Sequence, residues 1–235
     1  MRIIFYLLLF SCSIFSQTKN ADEILEKIKK KYDVVKDYEV DIKIKVDMEF
    51  LRIPKVSAKV YFKHPDKMKM DSKDFAILPK EGISFSPTKF LNNKYSAIYI
   101  RSDTVENKNV EVIKIIPLEE ETSIILSSLW VDSENYIIRK VETTTKNKGS
   151  FTANLIYDDL VDYALPSEMI FTFNIEDPKL PETINMNAGG VEKPIGKIGS
   201  NLTGKIQVYY SNYKVNQGIE DSFFENEDDS KKSLN

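Results

Sequence analysis

The chain has 235 residues with 33 basic and 36 acidic side chains, a net charge of −3, and charges of both signs interspersed along its length. A chain of this length holds one large β domain or two small ones, and because it has no basic stripe it is not expected to bind nucleic acid. One histidine and one cysteine cannot build a zinc site of several such ligands, so we expect neither a metal nor another cofactor.

Residues 1–16 have the pattern of a secretory signal peptide, because Arg2 precedes an almost wholly apolar run that ends in small residues. The run is too short for a membrane span, which needs about 20 residues. Two interpretations of its end stay open. Cleavage after Ser16 would release a periplasmic protein, whereas processing at Cys12 would leave an outer-membrane lipoprotein anchored at that residue. We favour cleavage after Ser16, since the apolar run continues beyond Cys12.

Residues 21–35 are predicted to form an amphipathic helix with Asn20 as its N-cap. Acidic residues in the first turn suit the positive end of the helix dipole. The apolar side chains that share one face are Ile24, Leu25, Ile28, Tyr32 and Val35. A helix with this stripe is expected to cover the core of a domain.

The strongest signal in the sequence is the alternation from Tyr38 to Phe50, where apolar side chains point one way and charged side chains the other. A period of two indicates a β-strand with one apolar and one charged face. The run is about twice as long as an ordinary strand of five or six residues. Such a strand is typical of a large curved antiparallel sheet that is apolar on its concave side. What covers that concave face, whether helices, a lipid or both, decides the function.

Shorter alternating or apolar runs predict the rest of a meander of antiparallel strands. These runs span residues 56–62, 68–70, 95–101, 110–116, 124–131, 137–145, 150–157, 169–175 and 205–213. Ser86-Pro87 fits the start of a short helix that continues through Leu91. The predicted fold is therefore mainly β: an incomplete antiparallel β-barrel or strongly curved sheet, with an N-terminal helix and a short plug helix on the concave face.

Two segments are predicted to lie outside this framework. Residues 176–204 contain repeated prolines and glycines and are expected to form a long loop, which in a compact domain is usually functional or disordered. Residues 225–235 are charged, lack aromatic side chains and are expected to be a disordered tail. The predicted organisation is a signal peptide at 1–16, one domain at 17–224 that includes the loop, and the tail.

The residues that could carry catalysis do not form a recognisable constellation. His64 would have to serve any Ser-His-Asp triad, yet no Gly-x-Ser-x-Gly elbow accompanies it in the sequence. We therefore expect a protein without catalytic residues, that is, not an enzyme. The candidate site is the apolar concave face, where methionines and aromatics suit an adaptable ligand, although the same side chains could simply pack beneath the helices. The candidate ligand-binding residues are Tyr38, Val40, Ile42, Ile44, Val46, Met48, Phe50, Val60, Phe62, Met68 and Met70.

The order of several segments resembles a known family. The N-terminal helix and two long strands lead into residues 63–70, which read Lys-His-Pro-Asp-Lys-Met-Lys-Met. Leu-Trp-Val-Asp follows at 129–132, and the chain closes with Tyr-Lys-Val-Asn-Gln-Gly-Ile at 213–219 and Phe223-Phe224. Over residues 21–224 this order resembles the LolA family of periplasmic outer-membrane lipoprotein carriers and their relatives.

The resemblance implies a β-barrel plugged by helices, an apolar cavity for acyl chains, and a lid supplied in part by residues 75–91. It implies a periplasmic carrier or binding protein that serves outer-membrane lipoprotein sorting. Its partners would be acylated lipoproteins or lipids, together with sorting proteins of the inner and outer membranes. The alternative is a ligand-free structural or envelope-stress sensory module of the same fold that acts through protein–protein contacts.

One motif position departs from the family. His64-Pro65 stands where the best-known carriers have Arg-Pro, so these two residues are of particular interest. A neutral imidazole has neither the permanent charge of arginine nor its forked donors. The closing mechanism of those carriers is therefore not expected to carry over unchanged.

Overall fold

In a computed structural model of the protein, the described residues are 19–48, 55–71, 91, 94–119, 123–146, 149–176 and 201–225. Outside them lie the predicted signal peptide with Cys12, Phe50, the start of the helix predicted at Ser86, the middle of the predicted loop and the tail beyond Glu225.

Two α-helices and one 3₁₀ turn have both their bounds within these ranges, and Leu91 is also helical. The helices are α1 (Ala21–Tyr32) and α2 (Ser222–Glu225), and the 3₁₀ turn covers Val161–Tyr163. The side chain of Asn20 accepts a hydrogen bond from the backbone N–H of Asp22 at 3.0 Å, so Asn20 caps α1 as predicted. Within the described ranges no helix is long and apolar enough to cross a membrane.

Most of the described residues lie in ten β-strands. They are β1 (Asp37–Met48), β2 (Val56–Lys63), β3 (Lys67–Asp71), β4 (Tyr95–Val105), β5 (Lys108–Pro117), β6 (Ile124–Asp132), β7 (Ile138–Thr145), β8 (Gly149–Ile156), β9 (Glu168–Glu176) and β10 (Asn201–Val215).

All ten strands form one antiparallel sheet in the order β3-β2-β1-β10-β9-β8-β7-β6-β5-β4. The last strand, β10, lies between β1 and β9, so the first and last strands of the described chain are neighbours in the sheet. Within the described part of the chain, β3 and β4 end the sheet, which is therefore curled but not a closed barrel. The predicted fold class, a mainly β curved antiparallel sheet with an N-terminal helix, is confirmed.

The curl of the sheet brings distant strands to the same helix. Leu25 and Ile28 of α1 belong to one apolar cluster that includes Ile42 of β1 and Leu129 of β6. These two strands are five positions apart in the sheet, or about 24 Å if the sheet were flat. A helix is only about 10–12 Å wide, so the sheet must bend around it for one cluster to form.

Two element bounds differ from the prediction. Helix α1 ends at Tyr32 rather than at Val35. Strand β10 begins at Asn201, so the last four residues assigned to the 176–204 loop are paired with β9. Position 204 in that strand requires a glycine because the ring of Phe173 lies over it. A Cβ atom at this position would be 2.4 Å from the ring.

A buried ion pair fixes the turn after β6. Asp132 is 1% exposed and accepts two hydrogen bonds of 2.8 Å from the guanidinium of Arg139. Its other oxygen accepts hydrogen bonds of 2.9 Å from the backbone N–H groups of Glu134 and Asn135. Burial raises the pKa of Asp132, but the hydrogen bonds from Asn135 and Arg139 outweigh this effect and hold the pKa below its ordinary value.

We expect Arg139→Met to destabilise the fold by about 3–5 kcal/mol, because it leaves the Asp132 carboxylate buried without its cation. The control is Lys140→Met in the same strand, whose partner Glu142 is 2.6 Å away on the surface. That change should cost about 1 kcal/mol or less. Urea denaturation near neutral pH measures both variants, and equal losses would contradict the assignment of the buried pair.

Candidate ligand-binding cavity

A cavity of about 120 Å³ lies on the concave face of the sheet, beside the C-terminal end of α1. The strands contribute Tyr38, Ile42, Val60, Phe62, Met68, Leu155, Met169, Val208, Tyr210 and Tyr213 to its lining. The helix, turns and remaining described residues contribute Lys29, Tyr32, Asp33, Val35, His64, Pro65, Leu91, Tyr163, Ala164, Leu165 and Pro166. The cavity is therefore apolar and aromatic on most sides, with a few polar groups.

The structure brings together some of the sequence-predicted site residues and not others. Those that line the cavity are Tyr38, Ile42, Val60, Phe62, Met68, His64 and Pro65. Val40, Ile44 and Val46 are buried in the apolar core away from it, and Met48 and Met70 are partly buried against that core. Phe50 lies outside the described residues. The cavity thus occupies one end of the predicted apolar face, not its whole length.

Sequence reasoning missed the contribution of β10, which supplies Val208, Tyr210 and Tyr213 to the lining. The alternation of this strand is visible in the sequence. Its position beside β1 is not, because that pairing joins residues more than 150 positions apart, such as Tyr38 and Val215. No local pattern specifies so distant a partner.

Aromatic rings pack against one another on one side of the cavity. Tyr38 stacks on Phe62 with ring centres 5.0 Å apart, and it meets the edge of Tyr213 at 5.6 Å. Tyr213 in turn stacks on Tyr210 at 6.1 Å. Rings at these separations attract one another beyond simple area burial, so they form a stable surface for a ligand to contact.

The tyrosine hydroxyls around the cavity differ in their partners. The hydroxyl of Tyr213 donates to the carbonyl of Pro166 at 3.0 Å, and that of Tyr157 donates to the carbonyl of Ile138 at 2.9 Å. The hydroxyls of Tyr32 and Tyr157 lie 3.4 Å apart. Among the described residues, the hydroxyls of Tyr38 and Tyr210 have no hydrogen-bond partner.

Burial keeps these hydroxyls neutral. It raises the pKa of Tyr38 to about 12 and that of Tyr32 to about 12, because an ionised phenol is poorly solvated in apolar surroundings. The pKa of Tyr210 is raised for the same reason, with a smaller contribution from the nearby Tyr38. At neutral pH these side chains are therefore uncharged donors.

Polar groups lie at the end of the cavity beside the helix terminus. Lys29 and His64 are exposed, and Asp33 is half-buried. The backbone N–H of His64 donates to the carbonyl of Lys36 at 2.7 Å, which ties the turn before β3 to the start of β1. The arrangement, an apolar interior with a polar rim, suits an amphiphilic molecule.

A second group of polar side chains serves the structure and not the cavity. The buried Glu111 of β5 accepts hydrogen bonds from Lys19, Tyr99, Ser102 and Ser133. Burial raises the pKa of Glu111, but these donors together lower it below its ordinary value. The contact with Lys19 anchors the start of α1 to the far half of the sheet. Within the described residues, no three His, Cys, Asp or Glu side chains are placed to hold a metal ion.

The chain matches no protein-family model and no curated protein sequence. A solved domain from Vibrio parahaemolyticus, proposed to be an outer membrane lipoprotein-sorting protein domain, is similar over 87% of this chain and 97% of its own length, at 14% identity and a TM-score of 0.50. A LolA superfamily protein from Nitrosomonas europaea matches over 88% of this chain and 97% of its own, at 12% identity and a TM-score of 0.48. At such identities the likeness concerns the fold alone, which this chain shares with the Vibrio domain.

We expect the stability of the protein to fall as the pH rises from about 10 to about 12, because the neutral Tyr38 hydroxyl is favoured in the fold and the ionised one is not. This contribution is fully present below pH 10 and is lost as the pH approaches the raised pKa. Tyr38→Phe lacks this pH-dependent contribution. The free energy of unfolding of the variant should therefore rise relative to that of the wild type between pH 9 and 11.5. Urea denaturation across this range measures the difference, and a constant difference would show that Tyr38 ionises normally in the fold.

Proposed function

We propose that the protein binds acyl chains in this cavity and acts as a periplasmic carrier or binding protein for lipoproteins or lipids, aiding outer-membrane lipoprotein sorting. The observation that carries the proposal is the cavity itself, enclosed between a curled sheet and the end of α1 and lined by aliphatic and aromatic side chains. Binding would work by removing hydrocarbon from water, at about 25 cal/mol per Å² of apolar area, without bond chemistry.

The size of the cavity places a condition on this function. At about 120 Å³ it is smaller than ordinary ligand pockets of about 300–1,000 Å³, so a long acyl chain requires it to widen. The elements that can move are the end of α1 and the turn at 163–166, which meet the sheet through side chains. The strands are held by continuous backbone hydrogen bonds and would stay in place.

The periplasmic location and the partners are part of the same proposal. The apolar N-terminal segment supports export, with cleavage after Ser16 or lipidation at Cys12 as the two routes. The fold shared with the Vibrio domain, which is proposed to sort outer membrane lipoproteins, supports acylated lipoproteins as cargo. Sorting proteins in the inner and outer membranes would be the donors and acceptors of that cargo.

A second candidate function rests on a separate surface. Apolar side chains are exposed at the β4 end of the sheet, where Ile98 is 47% exposed and Leu118 is 62% exposed, with Ile100 and Ile116 near them. An exposed apolar strip on a terminal strand is a common feature of protein–protein contacts. It favours the alternative of a sensory or structural module that binds a protein partner and holds no lipid.

We expect Phe62→Glu to weaken binding of the fluorescent fatty acid cis-parinaric acid by at least about tenfold, because the new carboxylate would be buried without a partner or would fill the cavity with water. The control is Tyr61→Glu, one residue earlier in β2, whose ring packs at 4.6 Å on Phe223 on the opposite face of the sheet. Fluorescence titration measures both.

The control variant should bind the probe as the wild type does, even though it loses the Phe223 contact. Thermal unfolding of both variants shows whether each is folded at the assay temperature. Equal binding by the two variants would contradict the cavity as the site. Failure of the wild-type protein to bind any acyl probe would favour the protein-binding alternative.

A further inference from the structure

The cavity is lined by two tyrosines whose hydroxyls bond to no other described residue. Tyr38 and Tyr210 both line it, and Tyr213 lies between them in ring contact with each. The hydroxyl of Tyr213 donates its hydrogen bond to the carbonyl of Pro166. Those of Tyr38 and Tyr210 have no hydrogen-bond partner among the described residues.

A phenol in apolar surroundings is stabilised only when its hydrogen bonds are made. The hydroxyls of Tyr32, Tyr157 and Tyr213 each have a partner in the protein. Tyr38 and Tyr210, without such a partner among the described residues, line the cavity where a bound molecule would lie. A tyrosine is protonated at neutral pH, so each of the two can donate a hydrogen bond to a ligand.

The surroundings limit what the ligand group can be. It must accept hydrogen bonds, and it must tolerate an apolar environment of side chains such as Ile42, Val60 and Val208. An anionic phosphate or carboxylate would lose its hydration here. The lysine that lines the cavity, Lys29, is exposed at its rim, where a charged headgroup could remain in water. A neutral carbonyl oxygen meets the conditions of the interior.

We infer that Tyr38 and Tyr210 donate hydrogen bonds to the ester carbonyl of a bound acyl chain, and so select acyl esters over other long-chain hydrocarbons. The inference rests on the proposed function and names the group by which the cavity recognises its ligand. The hydrocarbon would occupy the space between Ile42, Leu155 and Met169, with the rest of the molecule towards Lys29. Phospholipids and lipoproteins both carry such esters.

The test compares an ester with an ether of the same shape. Palmitoyl lysophosphatidylethanolamine has the carbonyl, and its hexadecyl ether analogue lacks only that group. Displacement of cis-parinaric acid gives the affinity for each. The wild type should prefer the ester by about fivefold, the effect of one or two ordinary hydrogen bonds. In the double variant Tyr38→Phe/Tyr210→Phe this preference should disappear, because neither hydroxyl remains to donate to the ester.

The control is Tyr99→Phe, whose hydroxyl bonds to Glu111 away from the cavity. It should keep the ester preference. The Phe variants retain the rings, and thermal unfolding checks that they remain folded. A preference that survives in the double variant, or a wild type that binds both analogues equally, would overturn the inference and leave the proposed function standing. A wild type that binds neither analogue would overturn both.

The same assay identifies the source of the ester. A synthetic dipeptide with a diacylglyceryl cysteine at its N-terminus is the second probe. If it binds more tightly than the lysophospholipid, the ester belongs to a lipoprotein. The reverse order assigns it to a phospholipid. Whichever order is found, both ester probes should bind the double variant about fivefold more weakly than the wild type.

Discussion

The apolar face of an open sheet has to be kept from water, and the arrangement of the molecule follows from how that is done. Ten strands at about 4.8 Å spacing would make a flat sheet about 43 Å wide. Helix α1 has 12 residues and is about 18 Å long. A helix of this length can contact strands as far apart as β1 and β6 only if the sheet curls around it. Among the described residues, the shared core and the cavity beyond the end of α1 follow from this mismatch in size.

Contacts at both ends hold helix α1 on the sheet, and the cavity lies beside the C-terminal end of this helix. At the start, Lys19 contacts Glu111 on β5. At the end, the hydroxyl of Tyr32 lies 3.4 Å from that of Tyr157. Beyond Tyr32, the loop to β1 and the turn at 163–166 line the cavity above the sheet. These segments are joined to the sheet by a few side-chain contacts such as Tyr213 with Pro166. Local opening there costs less than opening of the strands, and it would admit a ligand without unpairing the sheet.

Local patterns in the sequence were sufficient for the elements and insufficient for the site. The alternation from Tyr38 onwards and the Asn20 cap specify β1 and α1 because both depend on neighbouring residues. The same alternation could not tell Ile42, which lines the cavity, from Ile44, which lies in the core, because both face the same way. That distinction depends on where α1 ends above the sheet. The tyrosines of β10 were missed for a related reason, since their place beside β1 is a long-range contact.

Native mass spectrometry of the protein purified from membrane-containing cells tests whether the cavity holds an acyl chain. We expect an added mass that leaves on denaturation and is identified as a lipid or an acylated peptide. A clean mass of the protein alone, with no uptake of added lipid or lipopeptide, would contradict it. The function would then have to be sought in the exposed strip around Ile98 and Leu118.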